Sequence, residues 1–460
     1  MLTVEKIGGT SMSQFKDVLN NIIVGKRDKK DYYNRIFVVS AYANVTNWLL
    51  EHKKTKEAGI YLKFAKNEEY ELAMDDLLQK LIGLNRGFEE IGLDQKVADG
   101  FIIQRITQAK NYLNSMADVL ASGYVSRANI LLAAREILSS IGEAHSAFNS
   151  VNIIKNYGIN ATFVDLCGFN DHEYLTIDER IHRCFKNIDF NKTLCIATGY
   201  TKGTEGIMRE FDRGYTEVTF SKIAVEVKAQ EAIIHKEFHL SSADPNLVGI
   251  ENSVPVGFTN YNVADQLADV GMEAIHPKAS KPIEVAGINI RIKNTFEPEH
   301  PGTLISKDYV GKNSKVEIIA GTDKVTAIEV HDPSMVGQVG FDQDILQIYR
   351  DYGISYIVKS TNANSITQVI WEEKATKDFI NELSNKYKQV TVKNVALICA
   401  LGTNIAKPGI LAKATKALAD NSINIDCFSQ SLSQVNMQFV INRHDFNKAI
   451  KVLNAALCLE

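Results

Sequence analysis

Long apolar runs are missing from this 460-residue chain, and with them any candidate for a membrane-spanning helix of roughly 20 apolar residues. Basic runs are missing too. Lysine and arginine total 51 against 55 aspartate and glutamate, a net charge of -4, so the electrostatic footprint of a nucleic-acid binder is not there. The six cysteines (Cys167, Cys184, Cys195, Cys399, Cys427 and Cys458) are scattered. With no CxxC pair and no histidine spacing suited to zinc, they read as free thiols in a reducing compartment, and no metal site is expected. The charged, apolar and cleavage regions of a secretory leader are not seen at the start, where a strand-like pattern begins at once, so a cytoplasmic location is expected. What remains is an ordinary soluble balance, 45% hydrophobic and 23% charged. The length exceeds what one core can organise, so two or three domains are expected.

The first informative stretch is Lys6-Ile7-Gly8-Gly9-Thr10-Ser11, directly after the β-type run Leu2-Thr3-Val4. Paired glycines let backbone N–H groups approach a phosphate, a following helix N-terminus adds partial positive charge, and a lysine can neutralise phosphoryl charge. An ordinary tight turn between a strand and a helix beginning near Gln14 explains the same residues. Arg35 to Ala41 is apolar from Ile36 to Val39 and ends in the small residues Ser40 and Ala41, as in a parallel strand covered on both faces, and Tyr42 to Asn47 is a polar loop at its end. Ligands of α/β sheets bind at that end.

From Trp48 to about Asn156 the pattern is helical, interrupted at Ser139 to Ser146 by small residues around Glu143. Taken alone, Glu143 reads as a charge at a helix N-terminus. Strands are expected at Ala161 to Val164, Thr193 to Ala197, from Ala232, and at Ile288 to Ile292. The second of these runs into the Gly/Thr-rich loop Thr198 to Thr204. Arg213 to Glu217 opens a helix through Ala229, with Thr216 as a possible cap and Glu217 at its positive end.

Past residue 310 one small unit occurs twice. Ala327 to Val330, a helix over 342–351, Gly353 to Ser355 and Ile366 to Val369 are matched by Val395 to Ile398, a helix over 410–420, Ser422 to Asn424 and Val435 to Phe439. A helix closes each copy, Lys377 to Tyr387 and Asp445 to Leu457. This is the ferredoxin-like order.

With these residues in view, the chain resembles the aspartate kinases, an amino-acid-kinase domain followed by two ACT domains, over essentially its whole length. The resemblance rests on Lys6 to Ser11 (the family's Lys-Phe-Gly-Gly-Thr-Ser, with Ile7 for Phe), Val38 to Asn47, Gly142-Glu143, Arg213-Gly214, Asp244-Pro245, His276-Pro277-Lys278 and Pro301 to Ile305. It implies a three-layer α/β catalytic domain with a mostly parallel sheet over 1–308, and α+β ACT domains over 309–390 and 391–460. It implies ATP and Mg²⁺, L-aspartate as substrate, and 4-phospho-L-aspartate and ADP as products. By the same resemblance Lys6 and Glu217 are catalytic, the acid orienting the lysine. Ser40, Thr46, Glu143, Arg213 and Thr216 hold the amino acid, Glu143 by its ammonium and Arg213 by its α-carboxylate. Gly8, Gly9, Thr10, Ser11, Lys236, Glu237, Asp244 and Lys278 meet the nucleotide, with the loop from His235 to Pro245 around the adenosine. Met335, Val336 and Gly340 mark an effector loop for lysine or threonine, Pro408-Gly409 its counterpart, and the ACT units imply a homodimer or a dimer of dimers.

This chain departs from the family at the nucleotide loop. The family's Trp-Thr-Asp is His235-Lys236-Glu237 here, the loop to Asp244-Pro245 is one residue shorter, and Asn246 replaces an arginine. Lys236 is the expected source of the missing charge. These changes, with His239 to Pro245, resemble the branch associated with ectoine synthesis. Two alternatives stay open at this point: a kinase of another small amino acid, and an amino-acid-binding regulator whose kinase domain has decayed.

Overall fold

The computed structural model describes residues 1–211, 214–272 and 275–459. The chain forms two compact units, Met1–His239 with His276–Gly302, and Leu240–Ile275 with Thr303–Glu460. The strands of the first two-thirds are β1 (Thr3–Ile7), β2 (Arg35–Val39), β3 (Ala161–Val164), β4 (Leu194–Thr198), β5 (Glu231–Lys236), β6 (Phe258–Asn260), β7 (Asn289–Asn294) and β8 (Thr303–Ser306).

In the first unit β3, β4, β2, β1, β5 and β7 lie side by side in that order, every pair parallel. All five residues of β2 and all five of β4 are buried. A strand buried on both faces must be covered on both, which gives the expected three layers. Because the strands are parallel, the exits of β1, β2, β4 and β5 share one edge.

Helices Tyr70–Arg86, Gln95–Ser122 and Arg127–Asn156 fill the expected helical stretch. The expected break at 139–146 is not one. The helix Arg127–Asn156 runs through it, and Glu143 is buried in mid-helix rather than charging an N-terminus. Small residues there serve close packing: a Cβ on Gly142 would lie 2.6 Å from Ala41 Cβ and 3.2 Å from Val45 Cγ1. Gly142→Ala should therefore cost about 1–3 kcal/mol, read as a lower denaturation midpoint. The first helix also differs from expectation. It begins at Gly9, ends at Ser13, resumes over Phe15–Asp17 and continues as a wide turn through Val24. Thr216 is not a cap: Gly214 holds that position and Thr216 is buried inside the helix Tyr215–Glu226.

Beneath the sheet's shared edge sits a buried ionic cluster. Arg35 donates from Nε to Glu5 Oε1 (2.6 Å) and from Nη2 to Glu5 Oε2 (3.0 Å), and His235 Nε2 reaches the same Oε2 at 2.8 Å. Arg35 also donates to the carbonyls of Ile22 and Ile23. Burial alone would raise the Glu5 pKa, but Arg35 and His235 reverse this and hold it well below the usual carboxylate range. Burial lowers the His235 pKa, and its Nδ1 has no partner among the described residues, so the ring is neutral and donates from Nε2. His235, expected on the adenosine loop, is thus a residue of the first unit's core.

The second unit contains β6 and β8, a short parallel pair, and an antiparallel sheet made of β9 (Ile318–His331), β10 (Val358–Thr361), β11 (Ser365–Trp371), β12 (Gln389–Leu401), β13 (Ile425–Ser429) and β14 (Asn436–Asn442), in the order β10-β11-β9-β12-β14-β13. The two copies are there, with helices Phe341–Asp351 and Lys377–Lys386 in one and Ile410–Asp420 and Phe446–Leu457 in the other. Gly353 to Ser355 is not a strand; the chain extends only from Val358, after a turn at Gly353 with φ +63°. Ser422 to Asn424 likewise precedes its strand.

β9 (14 residues) and β12 (13 residues) are each more than three times as long as the four-residue strands the repeats predict, because each serves both copies. The second half of β9 (325–331) and the first half of β12 (389–395) pair in the first copy. The first half of β9 (318–322) and the end of β12 (397–401) pair in the second, with the register shifting between Val395 and Leu397. Separate cores form under the two halves, one around Ile328, Tyr349 and Phe379, the other around Ile398, Leu418 and Phe439. The opposite face packs on Val263, Leu267 and Val270 from the helix Tyr261–Asp269 and its exit.

Candidate active site

Four loops meet at the shared edge of the first unit's sheet. After β1, Gly8 is extended and Gly9 opens the helix; a Cβ on Gly9 would sit 2.7 Å from the Ala41 carbonyl oxygen, so only glycine lets the two loops touch. After β2, the Ala43 N–H donates to Ser13 Oγ (2.8 Å), and Ser146 Oγ donates to the Ser40 carbonyl (2.8 Å), which ties the loop to both neighbouring helices. Thr46 follows in the short helix Val45–Leu49. After β4 come Gly199 and Tyr200, and after β5, Glu237.

Lys6 and Glu217 form the central pair. Lys6 Nζ lies 3.5 Å from Glu217 Oε1, with side chains 12% and 18% exposed, so the pair is sheltered yet open to a ligand. The His276 N–H donates to Glu217 Oε2 at 2.7 Å. Burial pushes the Glu217 pKa up, but Lys6, the His276 amide and Lys236 together carry it below the ordinary value, so this acid is ionised. Ser11 Oγ donates to Glu237 Oε1 (3.1 Å) and lies 3.3 Å from Thr295 Oγ1. Gly8, Gly9, Ser11, Lys6, Glu217 and Glu237 are thus brought together, with Thr10 exposed on the same turn.

The second focus is Glu143. Tyr215 donates from its hydroxyl to Glu143 Oε1 at 2.7 Å, and Oε2 is buried with no partner among the described residues. Burial raises the Glu143 pKa to about 7, against the Tyr215 bond and the Ala41 amide, which lower it. An unpartnered buried carboxylate oxygen is costly, and a cationic group placed there would relieve that cost. Thr46 leans on the Tyr215 hydroxyl, and Thr216 packs against Gly199.

Arg213 lies outside the described residues. Lys278 is exposed at the start of the helix Pro277–Val285, its ammonium 5.5 Å over the Phe211 ring. Asp244 belongs to the second unit, where its carboxylate accepts from the Asn246 N–H at 2.9 Å and caps the helix Pro245–Val248. In the first copy of the repeat Met335 is buried in the core, Val336 is exposed, and Gly340 (φ +98°) starts the helix Phe341–Asp351. A cavity of about 730 Å³ lies beside Tyr200, lined by Met116, Val119, Ile130, Ile137 and Glu136 among others. Its largely apolar wall does not suit an amino acid with three ionised groups. Among the described residues no group of three His, Cys, Asp or Glu could hold a metal ion, and no helix is long and apolar enough to cross a membrane.

Sequence reasoning missed the parts played by Tyr215 and His276. Both stand inside motifs already singled out, but nothing in one dimension shows that a phenol and a backbone amide reach carboxylates 72 and 59 residues away.

Comparison with known proteins adds the identity. The amino acid kinase family matches residues 1–294, and an ACT domain matches 398–457. The aspartate kinase Ask_Ect of Stutzerimonas stutzeri (strain A1501) is 46% identical over 466 residues, covering 99% of this chain and 97% of that protein. Among solved structures, the aspartate kinase of Clostridium acetobutylicum superposes with a TM-score of 0.74 at 24% identity, covering 99% of this chain and 100% of that one. Aspartokinase III of E. coli, solved with aspartate and ADP, gives 0.72 at 18% identity over 99% of both chains. A second structure of that enzyme, with lysine and aspartate, gives 0.72 at 17% identity with the same coverage. These likenesses show the fold, and the near-full-length identity to Ask_Ect shows the family. With the amino acid kinase family over residues 1–294 and this identity over 99% of its length, the chain belongs to the aspartate kinases.

Proposed function

We propose that this aspartate kinase phosphorylates the β-carboxylate of L-aspartate at the edge formed by β1, β2, β4 and β5, and that the Lys6–Glu217 pair is the centre of phosphoryl transfer. The observation that carries the reading is a sheltered lysine held by an ionised acid directly before the Gly8-Gly9 turn. A β-carboxylate is already ionised near neutral pH, so no general base has to activate it. The chemical task is to bring two anions into line and offset their repulsion. Lys6 meets the transferring phosphoryl group, the backbone of Gly8, Gly9, Thr10 and Ser11 cradles the phosphates, and Glu217 fixes the ammonium of Lys6 in place. Lys236, Glu237, Asp244 and Lys278 are the proposed nucleotide contacts.

Glu143 receives the substrate ammonium on its unpartnered oxygen, Arg213 takes the α-carboxylate, and Ser40, Thr46 and Thr216 complete the amino-acid site. Glu143→Ala is expected to raise the aspartate KM by about 10–100-fold, the loss of one charged hydrogen-bonded contact. An unchanged KM for aspartate would remove Glu143 from the site. ATP-dependent acyl phosphate trapped with hydroxylamine tests the whole reading. Hydroxamate formed with aspartate but not with N-acetylglutamate is the expected result; none with any amino acid would mean a decayed kinase.

Mg²⁺ belongs to the proposal as the companion of ATP. Glu217 and Glu237 are the nearby carboxylates, too few to cage an ion, which fits an ion bound mainly through phosphates and water. The remainder concerns regulation and context. The proposed division at residues 308 and 390, between a catalytic domain and two regulatory copies, is one of sequence only, since β9 and β12 each serve both copies; lysine or threonine would be received near Met335, Val336 and Gly340 or at Pro408-Gly409. Homodimers or dimers of dimers would form through the ACT units. Service to ectoine, or to lysine, threonine and methionine, in the cytoplasm is part of the proposal, and the identity to Ask_Ect supports the aspartate kinase step common to these routes. Calorimetric titration with lysine and with threonine distinguishes the effectors.

A further inference from the structure

Tyr215 has no part in the reading above, yet it makes the shortest contact with the proposed ammonium site. We propose that Tyr215 is a positioning residue for the substrate ammonium: its hydroxyl holds one oxygen of Glu143 and thereby turns the other oxygen to the incoming amino acid. The inference rests on the assignment of Glu143 made above.

The geometry has three parts. First, the phenol and the carboxylate are both about 2% exposed and 2.7 Å apart, and Glu143 Oε2 is left without a partner among the described residues. A buried carboxylate fixed at one oxygen and orphaned at the other has a single place to receive a cation. Second, the phenol is itself fixed. Thr46 faces its hydroxyl, and the Tyr200 ring meets its ring edge-on at 5.9 Å. Tyr200 is anchored in turn by donating to Glu136 Oε2 at 2.6 Å. Third, toward the Glu143 carboxylate the Tyr215 hydroxyl can only be the donor. Burial and the Glu143 charge raise its pKa well above the usual tyrosine value, so the proton stays on the phenol wherever the enzyme works.

Among the described residues, the groups that act on the Glu143 carboxylate are few. Besides burial they are the Tyr215 hydroxyl, the Ala41 amide after β2 and the residue's own amide. The Cys167 thiol, raised by burial and so neutral, stands nearby, and Tyr200 and Glu136 lie behind Tyr215. Of the interactions that keep Glu143 ionised, the Tyr215 bond is the largest. Binding a substrate ammonium needs the ionised form. Removing the donor raises the Glu143 pKa, so the acid limb of kcat/KM for aspartate must move to higher pH.

Tyr215→Phe keeps the ring and its contact with Tyr200, so the comparison is made at unchanged shape. Steady-state kinetics with L-aspartate and ATP from pH 6 to 9 should show the aspartate KM raised about 10-fold at pH 7, with kcat within about 2-fold. The acid limb should move up by about one pH unit, and the deficit should shrink at pH 8.5. Glu143→Gln should be at least as defective and lose the acid limb. The double variant should be no worse than Glu143→Gln alone, because the hydroxyl acts only through that carboxylate. If Glu143→Gln is defective while Tyr215→Phe keeps the parent KM and pH profile, or if the two losses add, Tyr215 does not position Glu143. A lower KM in Tyr215→Phe would also overturn the proposal, since the hydroxyl would then be occupying the place of the ammonium. If Glu143→Gln binds aspartate normally, the assignment of Glu143 fails instead, and the two failures are told apart.

Discussion

Lys6→Ala is expected to lower kcat by about 1,000-fold, the scale seen when a single group opposing transition-state charge is removed. The loss should fall on kcat more than on the KM for aspartate, because Lys6 faces the phosphoryl group and not the amino acid. The fold should survive. Glu217 keeps the His276 amide and the nearby charge of Lys236, so the carboxylate left behind is not stranded. Rates of ADP release, with circular dichroism to check the fold, decide the matter. Turnover near that of the parent enzyme would show that the lysine merely pairs with Glu217. Lys6→Met, which keeps the length of the chain, should be as defective as alanine if charge is what matters.

Glu5→Gln is expected to destabilise the first unit by about 3–5 kcal/mol, the usual result of removing one partner from a buried ion pair. The amide is nearly the same shape but leaves the Arg35 guanidinium uncompensated. The sign of the pH dependence follows from the depressed pKa of Glu5. Its contribution is fully present above the unfolded value of about 4.5 and fades as pH falls below it. The gap between parent and variant should therefore be widest at neutral pH and narrow in acid. Urea denaturation at pH 7 and at pH 4 measures both, and equal midpoints at pH 7 would show that water or a rearranged Arg35 takes over. Pairing Glu5→Gln with Arg35→Met should recover part of the loss, since the charge that Glu5 offsets is then gone as well.

How far residues alone disclose this molecule depends on the range of the interaction involved. β2 and β4 were readable because a doubly covered strand must be apolar at every position. The turn after β1 was readable because glycines beside a lysine are chemically restrictive. Ser139 to Ser146 misled for the opposite reason: small residues that weaken an isolated helix also let it pack closely, and Ala41 and Val45 are far away in sequence. Glu143 is the sharpest case. Composition and local pattern make it a surface charge, whereas the fold buries it against Tyr215. His235 shows the same limit, since its partner Glu5 is 230 residues away. Asp244, expected at the nucleotide, lies in the second unit, where its carboxylate caps a short helix.

The sharing of β9 and β12 has a consequence for how the chain is made. Residues 325–331 must wait for 389–395, and 318–322 for 397–401, so neither copy is complete until about 70 further residues have left the ribosome. Closing so long a span costs conformational entropy before any pairing repays it, which makes this sheet the slow, high-contact-order step of folding. A chain cut at residue 388 would lose the closing strand of both copies together. The two repeats look like separable cassettes in the sequence, but in synthesis, truncation and recombination they behave as one piece.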